Sequence, residues 1–147
     1  MYHSLIFQKD GSNRKYNTWD DWHLIPSSRP TFVQPSPVYK FIDIPGADGQ
    51  KDLTDYLVGH PTYTSRQGSF EFIVANGYGD WTERRTELAK FFTGHYLKCY
   101  LEDEPNIYYY GRFFFKDWKS DANFSKITIE YQVKPYRYKK NGEEAGL

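Results

Sequence analysis

The chain has 147 residues, a length typical of one domain that can bury a core without disulfides or metal ions. Lysine and arginine balance aspartate and glutamate at 19 each, so the composition argues against a nucleic-acid-binding protein. The single cysteine, Cys99, excludes an internal disulfide and a cysteine-based zinc site. The N-terminus lacks a signal-peptide pattern and no apolar run approaches the roughly 18 residues of a membrane span, so we expect a soluble domain made in the cytoplasm.

The first elements in the chain are predicted strands. Leu5–Phe7 is a short apolar run that ends at a turn signal, Asp10-Gly11-Ser12-Asn13. From Asn17 to Ile25 the side chains alternate, which predicts a second strand with one side in the core and one against a partner or a polar rim. The face proposed for the partner carries Trp19, Asp21 and His23.

A proline-rich connector follows this predicted strand. Prolines at four positions within twelve residues exclude both a helix and a central strand. They leave an extended segment at the edge of the fold. The four are Pro26, Pro30, Pro35 and Pro37.

The stretch from Tyr39 to Leu57 predicts a long hairpin or arm. Residues 38–44 alternate with a period of two, as in a strand. Two turn dipeptides, Pro45-Gly46 and Asp48-Gly49, then break the strand, and the apolar pair Leu53 and Leu57 follows. A segment that extends, turns sharply and returns needs a surface to pack against.

The second half of the chain predicts a helix among strands. In Ser69–Ala75, Phe70, Phe72 and Val74 share one face. A helix is predicted over about 80–93, with Asp80 as N-cap, Glu83 three residues later and Gly94 as the C-terminal stop. Its apolar face carries Trp81, Leu88 and Phe92. Its solvent-exposed side carries Glu83, Arg84, Glu87 and Lys90.

Three further strands are predicted over 96–102, 107–118 and 127–133, and residues 139–147 read as a flexible polar tail. One helix with an apolar stripe needs a sheet to lie on. We therefore predict a mainly β (α+β) fold, an antiparallel β-sandwich or split barrel with one helix and a projecting hairpin.

No arrangement typical of an active site stands out. The four histidines lack metal-ligand spacing, and Cys99 falls on the apolar face of its strand. Asp48, Asp52 and Asp55 lie in a glycine-containing loop, but their spacing differs from that of a calcium-binding EF-hand and is better explained by turn formation. We therefore expect no cofactor, no metal and no enzymatic activity.

Aromatic residues are the strongest compositional signal, at 20% of the chain. Such an excess is typical of cross-strand pairing in a core, of a protein–protein interface, or of a sugar-binding platform. Tyr108, Tyr110 and Phe114 fall on the strand face opposite the predicted core, so they are the aromatics most in need of a partner or of the helix. A carbohydrate-binding module that uses Tyr108, Tyr110 and Trp118 is one explanation.

Four stretches together resemble the N-terminal domain of siphophage distal tail proteins, the Dit family. The resemblance covers residues 1 to about 138 and depends on the ensemble rather than on one motif. The stretches are MYHSLIF (1–7), NTWDDWHLIPSSRP (17–30), IDIPGADGQKDLTDYLVGHPTY (42–63) and YYYGRFFFKDWKSDANFSKITIEY (108–131).

The resemblance implies a phage or prophage virion protein that forms a homo-hexameric ring at the tail tip. Such a ring, a baseplate hub, joins the tail tube protein to tail-associated tip proteins, and an extended arm of each subunit reaches the next one. Carried onto this chain, Trp19 to His23 would lie near a subunit boundary. The arm residues would be Ile42, Ile44, Pro45, Gly46, Ala47, Asp48, Gly49, Asp52, Leu53 and Thr54.

Two departures from the family pattern bear on this expectation. Many members continue into a second domain that resembles carbohydrate-binding modules, whereas this sequence stops soon after its last predicted strand. The run from Gln8 to Tyr16 is longer and more basic than expected between the first two strands. Three hypotheses follow, in order of preference: a tail hub protein, a carbohydrate-binding module and an enzyme.

Overall fold

The computed structural model describes residues 4–56, 59–75, 81–120 and 125–147, and for residues 81 and 117–120 it describes the backbone alone. Within these ranges the fold is mainly antiparallel β with one helix, α1 (Trp81–Phe92), as the sequence predicts. The strands are β1 (Leu5–Lys9), β2 (Lys15–Asn17), β3 (Leu24–Pro26), β4 (Phe41–Asp43), β5 (Gln50–Asp52), β6 (Arg66–Val74), β7 (Tyr96–Leu101), β8 (Glu104–Ser120), β9 (Ser125–Val133), β10 (Arg137–Lys139) and β11 (Glu144–Gly146).

Nine of these strands form a single antiparallel sheet that curls into a half-barrel. The main path runs β2-β1-β7-β8-β9-β6-β3. The long strand β8 joins the two halves, because its first part pairs with β7 and its second part pairs with β9. The remaining two strands, β4 and β5, form a separate two-stranded sheet.

The core lies on the inner face of the curl, under α1. Alternation predicts this face correctly: Phe70, Phe72 and Val74 of β6 are buried, and so are the four apolar residues at alternate positions of β9. Helix α1 contributes Leu88 and Phe92 as predicted, and also Phe91, which the predicted stripe omits. The predicted N-cap, Asp80, lies outside the described residues.

Aromatic rings fill the space between the sheet and α1. The ring of Phe7 contacts the rings of Phe92 and Phe113 edge-on, with centroids 4.8 and 5.1 Å away. Trp22 lies 5.0 Å from Phe91 and stacks on Tyr16 at 5.6 Å. Edge-to-face contacts of this kind add to the free energy gained by removing the rings from water.

The predicted strand from Asn17 to Ile25 is wrong in its middle. Residues 18–22 form a turn between β2 and β3, and His23 has a positive φ of 55°. The Asn17 side chain accepts hydrogen bonds from the amides of Trp19 and Asp20, and the Asp21 carboxylate accepts one from the Asn17 amide. Short polar side chains that bond nearby amides compete with strand pairing, and here they prevail.

The C-terminal residues also differ from the expected flexible tail. Strand β10 pairs with β11 and with the start of β8, where Tyr138 lies opposite Tyr108. The rings of these two tyrosines stack with centroids 5.7 Å apart. Strands β10 and β11 therefore extend the sheet beside the start of β8.

Gly111 marks the tightest approach between β8 and β9. A Cβ atom at this position would lie 2.4 Å from the Gln132 carbonyl oxygen and 2.4 Å from the Val133 Cα. Both atoms belong to the backbone of β9, so they cannot move without disturbing the strand pairing. Only glycine fits at this position.

We therefore expect Gly111→Ala to lower the free energy of unfolding by about 3 kcal/mol, the cost of overpacking against a rigid neighbour. Chemical denaturation followed by tryptophan fluorescence measures this change. Gln132→Ala, at an exposed position on the partner strand, is the matched control and should change stability by less than about 0.5 kcal/mol. Equal effects of the two substitutions would contradict the assigned register.

Candidate functional site

The most distinctive surface feature is the hairpin of β4 and β5. Phe41 lies opposite Asp52, Ile42 opposite Lys51 and Asp43 opposite Gln50. Gly46 and Gly49 have positive φ values of 79° and 74°, which suits the two predicted turns between the strands. The hairpin predicted from the sequence is present, although its strands are three residues long and Leu57 lies outside the described residues.

A small polar cluster closes the base of the hairpin. The Thr54 hydroxyl donates to the Asp52 carboxylate and accepts a hydrogen bond from the Lys40 amide at 3.1 Å. The Thr54 amide donates to the same carboxylate at 2.9 Å, and the Leu53 amide donates to the Lys40 carbonyl at 2.7 Å. The hydrogen bonds from Thr54 lower the pKa of Asp52 from its ordinary value. Asp52 and Thr54 thus shape the arm.

The hairpin exposes a concentrated group of large apolar side chains. Tyr56 is 77% exposed, Tyr39 64% and Phe41 50%, and Ile42 and Ile44 are exposed as well. The rings of Tyr39 and Phe41 stack on each other with centroids 5.8 Å apart. Within the described part of the chain, neither strand of the hairpin pairs with a third strand. A concentrated apolar surface beside open strand edges is typical of an interaction site.

The two chain segments that lead into and out of the hairpin are tied together. The Val38 amide donates to the Thr62 carbonyl, and the Thr64 amide donates to the Ser36 carbonyl, both at 2.8 Å. Pro37 and Tyr63 form the bridge between these bonds. The hairpin therefore begins from a narrow, paired stem.

A buried clamp joins the connector before this stem to the sheet. Arg66 of β6 is only 3% exposed, and its guanidinium donates to the Val33 carbonyl at 2.9 Å and to the Pro135 carbonyl at 3.1 Å. The Tyr131 hydroxyl accepts a hydrogen bond from the Val33 amide at 3.0 Å. Phe32 stacks on Tyr109 with centroids 3.9 Å apart. Burial lowers the pKa of Arg66 from its ordinary value.

The clamp was not predicted, although β6 carried a signal for it. Arg66 and Gly68 share the inward parity of Phe70, Phe72 and Val74. A cation at an inward position needs acceptors, which here are two backbone carbonyls and the side-chain oxygen of Gln34. A Cβ on Gly68 would come within 2.5 Å of the Tyr131 hydroxyl, so glycine makes room for that ring.

The second set of predicted interface residues lies elsewhere in the molecule. Trp19, Asp21 and His23 belong to the β2–β3 turn and its end rather than to a strand face. The rings of Trp19 and His23 contact each other edge-on at 5.5 Å, and Asp21 caps the turn. Arg84, which the sequence placed on the solvent-exposed side of α1, donates to the carbonyls of Trp22 and Ala75 and so ties the helix to this turn. An interface role for this turn stays a prediction.

Among the residues that the structure describes, four cations lie over tyrosine rings on the outer face of the sheet, opposite the core. We call this surface the Tyr–cation face. Its pairs are Lys15 over Tyr100 at 4.5 Å, Lys98 over Tyr108 at 5.1 Å, Lys134 over Tyr110 at 5.3 Å and Arg112 over Tyr96 at 4.3 Å.

This face does not form the exposed sugar platform considered from the sequence. Tyr108 is only 7% exposed, because Tyr138 stacks beside it and Lys98 covers its ring. Tyr110 is half-buried and donates its hydroxyl proton to Asp10 at 2.9 Å. Burial and this hydrogen bond raise the pKa of Tyr110 to about 12. The side chain of Trp118 is outside the described part of the structure.

Two observations describe the metal-ligating and nucleophilic side chains of the described residues. No group of three histidine, cysteine, aspartate or glutamate side chains among them is placed to hold a metal ion. Cys99 is fully buried, and burial raises the pKa of its thiol well above the usual value. In residues 4–56, 59–75, 81–120 and 125–147, no helix has the length and apolar character needed to cross a membrane.

Comparison with solved structures matches this fold to a phage protein. The crystal structure of SPP1 Dit (gp 19.1), described as a paradigm of the hub adsorption apparatus in phages that infect Gram-positive bacteria, superposes with a TM-score of 0.58 at 22% sequence identity. The match covers 92% of this chain and 52% of SPP1 Dit. The chain has a Dit-like fold. It spans about half the length of SPP1 Dit. No protein-family profile and no curated protein sequence matches it.

For this Dit-like fold, the clamp predicts a specific effect of Tyr131→Phe. Loss of the hydroxyl leaves the Val33 amide without its acceptor, so we expect the free energy of unfolding to fall by about 1 kcal/mol. Hydrogen exchange of the connector around Val33 should become at least several-fold faster. Tyr136→Phe, at a half-buried tyrosine outside the clamp, is the control. Unchanged exchange at Val33 would show that the clamp does not hold the connector.

Proposed function

We propose that this chain is a structural, non-enzymatic component of a phage tail, a distal hub protein that assembles with copies of itself into a closed homo-hexameric ring. In the virion, the ring would join the tail tube protein to the tail-associated proteins of the tail tip. The proposal combines the Dit-like fold with the sequence resemblance described above. SPP1 Dit is itself described as a hub of an adsorption apparatus.

The observation that carries the proposal is the exposed hairpin on its anchored stem. Tyr39, Phe41, Ile42, Ile44 and Tyr56 all project into solvent. Covering such side chains contributes roughly 1 kcal/mol for each half-exposed one, from about 25 cal/mol per Å² of buried apolar area. The open edges of β4 and β5 add main-chain hydrogen bonds when a neighbouring strand pairs with them. In a ring, this neighbouring strand belongs to a second copy of the chain.

A closed ring also explains why one hairpin per subunit suffices. In a cyclic assembly each subunit gives its hairpin to one neighbour and receives a hairpin from the other. The last contact to form is intramolecular, so its effective concentration is high even when each interface is weak alone. A well-oriented hairpin strengthens this effect because less freedom is lost on binding. The clamp and the paired stem supply that orientation.

The test replaces residues 42–51 with Asn-Gly, which joins the facing residues Phe41 and Asp52 by a short two-residue turn. We expect the unmodified chain to elute as an oligomer and the replacement to elute as a folded monomer in size-exclusion chromatography with light scattering at tens of micromolar.

The control is Leu147→Ser, since Leu147 is a 38% exposed apolar residue outside the hairpin, the stem and the clamp. This variant should keep the oligomer. A strictly monomeric unmodified chain would overturn the proposed assembly, and an oligomer that survives the replacement would remove the hairpin from it.

A further inference from the structure

The Tyr–cation face carries a local positive charge on a chain whose net charge is zero. Its four cations are held above tyrosine rings, and the acidic side chain found among them is Asp10, which accepts the hydroxyl proton of Tyr110. A depression of about 270 Å³ on this face is lined by Lys98 and Lys134, by Tyr108 and Tyr110, and by Asp10. Two ammonium groups against one carboxylate leave this depression with a net positive charge, which suits a further carboxylate side chain.

The hairpin carries the opposite charge. Between Lys40 and Tyr56 the sequence has four aspartates and two lysines, a net charge of −2. Asp43, Asp48 and Asp55 are exposed, while Asp52 is used in closing the base of the hairpin. The same segment supplies the exposed rings of Tyr39, Phe41 and Tyr56. Its docking surface must therefore offer cations together with aromatic surface.

We infer that the hairpin of one subunit docks on the Tyr–cation face of a second copy, with its aspartates placed beside Lys98 and Lys134. This inference rests on the proposed ring and names the surface that receives the arm. Tyr96, which is 41% exposed on the same side of the sheet, supplies a contact for the apolar side chains of the hairpin. Charge complementarity sets the register of this contact and disfavours contacts with other surfaces.

Other described surfaces fit an acidic arm less well. The outward side of α1 exposes Glu83 and Glu87, which would repel the aspartates of the hairpin. The outer side of β6 and β9 carries Glu71 and Glu130, and Lys116 there already pairs with Glu130 at 2.8 Å. The Tyr–cation face offers its cations with fewer acidic neighbours.

A charge-swap experiment on the full chain tests this docking. We expect Lys98→Glu/Lys134→Glu to raise the subunit dissociation constant at least about tenfold, because like charges then face each other. Adding Asp43→Lys/Asp55→Lys to that variant should restore the constant to within about threefold. Lys90→Glu/Lys126→Glu makes the same change at exposed lysines outside the face and should leave it within about threefold. Thermal unfolding verifies that each variant folds.

The outcomes separate this inference from the proposed ring. Loss of association with rescue by the swapped hairpin supports the docking. Loss without rescue overturns it, since the face would then bind something other than the hairpin. If the face variant assembles normally while the hairpin replacement gives monomers, the inference fails and the proposed function stands. If neither change affects the oligomer, both fail.

Discussion

The rings of Phe7, Trp22, Phe91 and Phe92 meet where strand β1, the β2–β3 turn and helix α1 converge. Each ring comes from an element that would be marginal alone, since α1 is only twelve residues long and the turn has no strand partner of its own. Truncating one such ring typically costs about 3–5 kcal/mol, comparable with the stability of a whole domain. Their mutual burial fixes the helix on the sheet.

A second aromatic group holds the connector that leads to the hairpin against the sheet. Phe32 contacts Tyr109 and Tyr131 of the sheet, and Arg66 bonds the carbonyl of the next residue, Val33. The hairpin has little packing of its own, so its direction depends on this clamp and on the paired stem beyond it. Isolated two-stranded hairpins are marginal in water, and an anchored base allows this one to present its apolar side chains in one orientation.

Alternation along single strands was enough to predict most of the sheet, including the buried faces of β6 and β9, because burial of one face fixes a period of two. The same rule failed where a side chain had another partner. Asn17 and Asp21 bond nearby amides and turn the chain, and Tyr108 is covered by β10, whose pairing joins distant parts of the sequence. The hairpin was predicted from its turn residues. The clamp at Arg66 was not, because its shorter hydrogen bonds go to backbone carbonyls distant in sequence, which no residue pattern reveals.

The central claim is that the hairpin leaves its own subunit and contacts the next copy. Photo-crosslinking from a benzophenone side chain placed at position 41, which is half exposed in the isolated chain, tests it directly. The account predicts covalent dimers and higher ladders at micromolar concentration that vanish on dilution below the dissociation constant. Crosslinks that remain within one chain, or yields that do not depend on concentration, would contradict it.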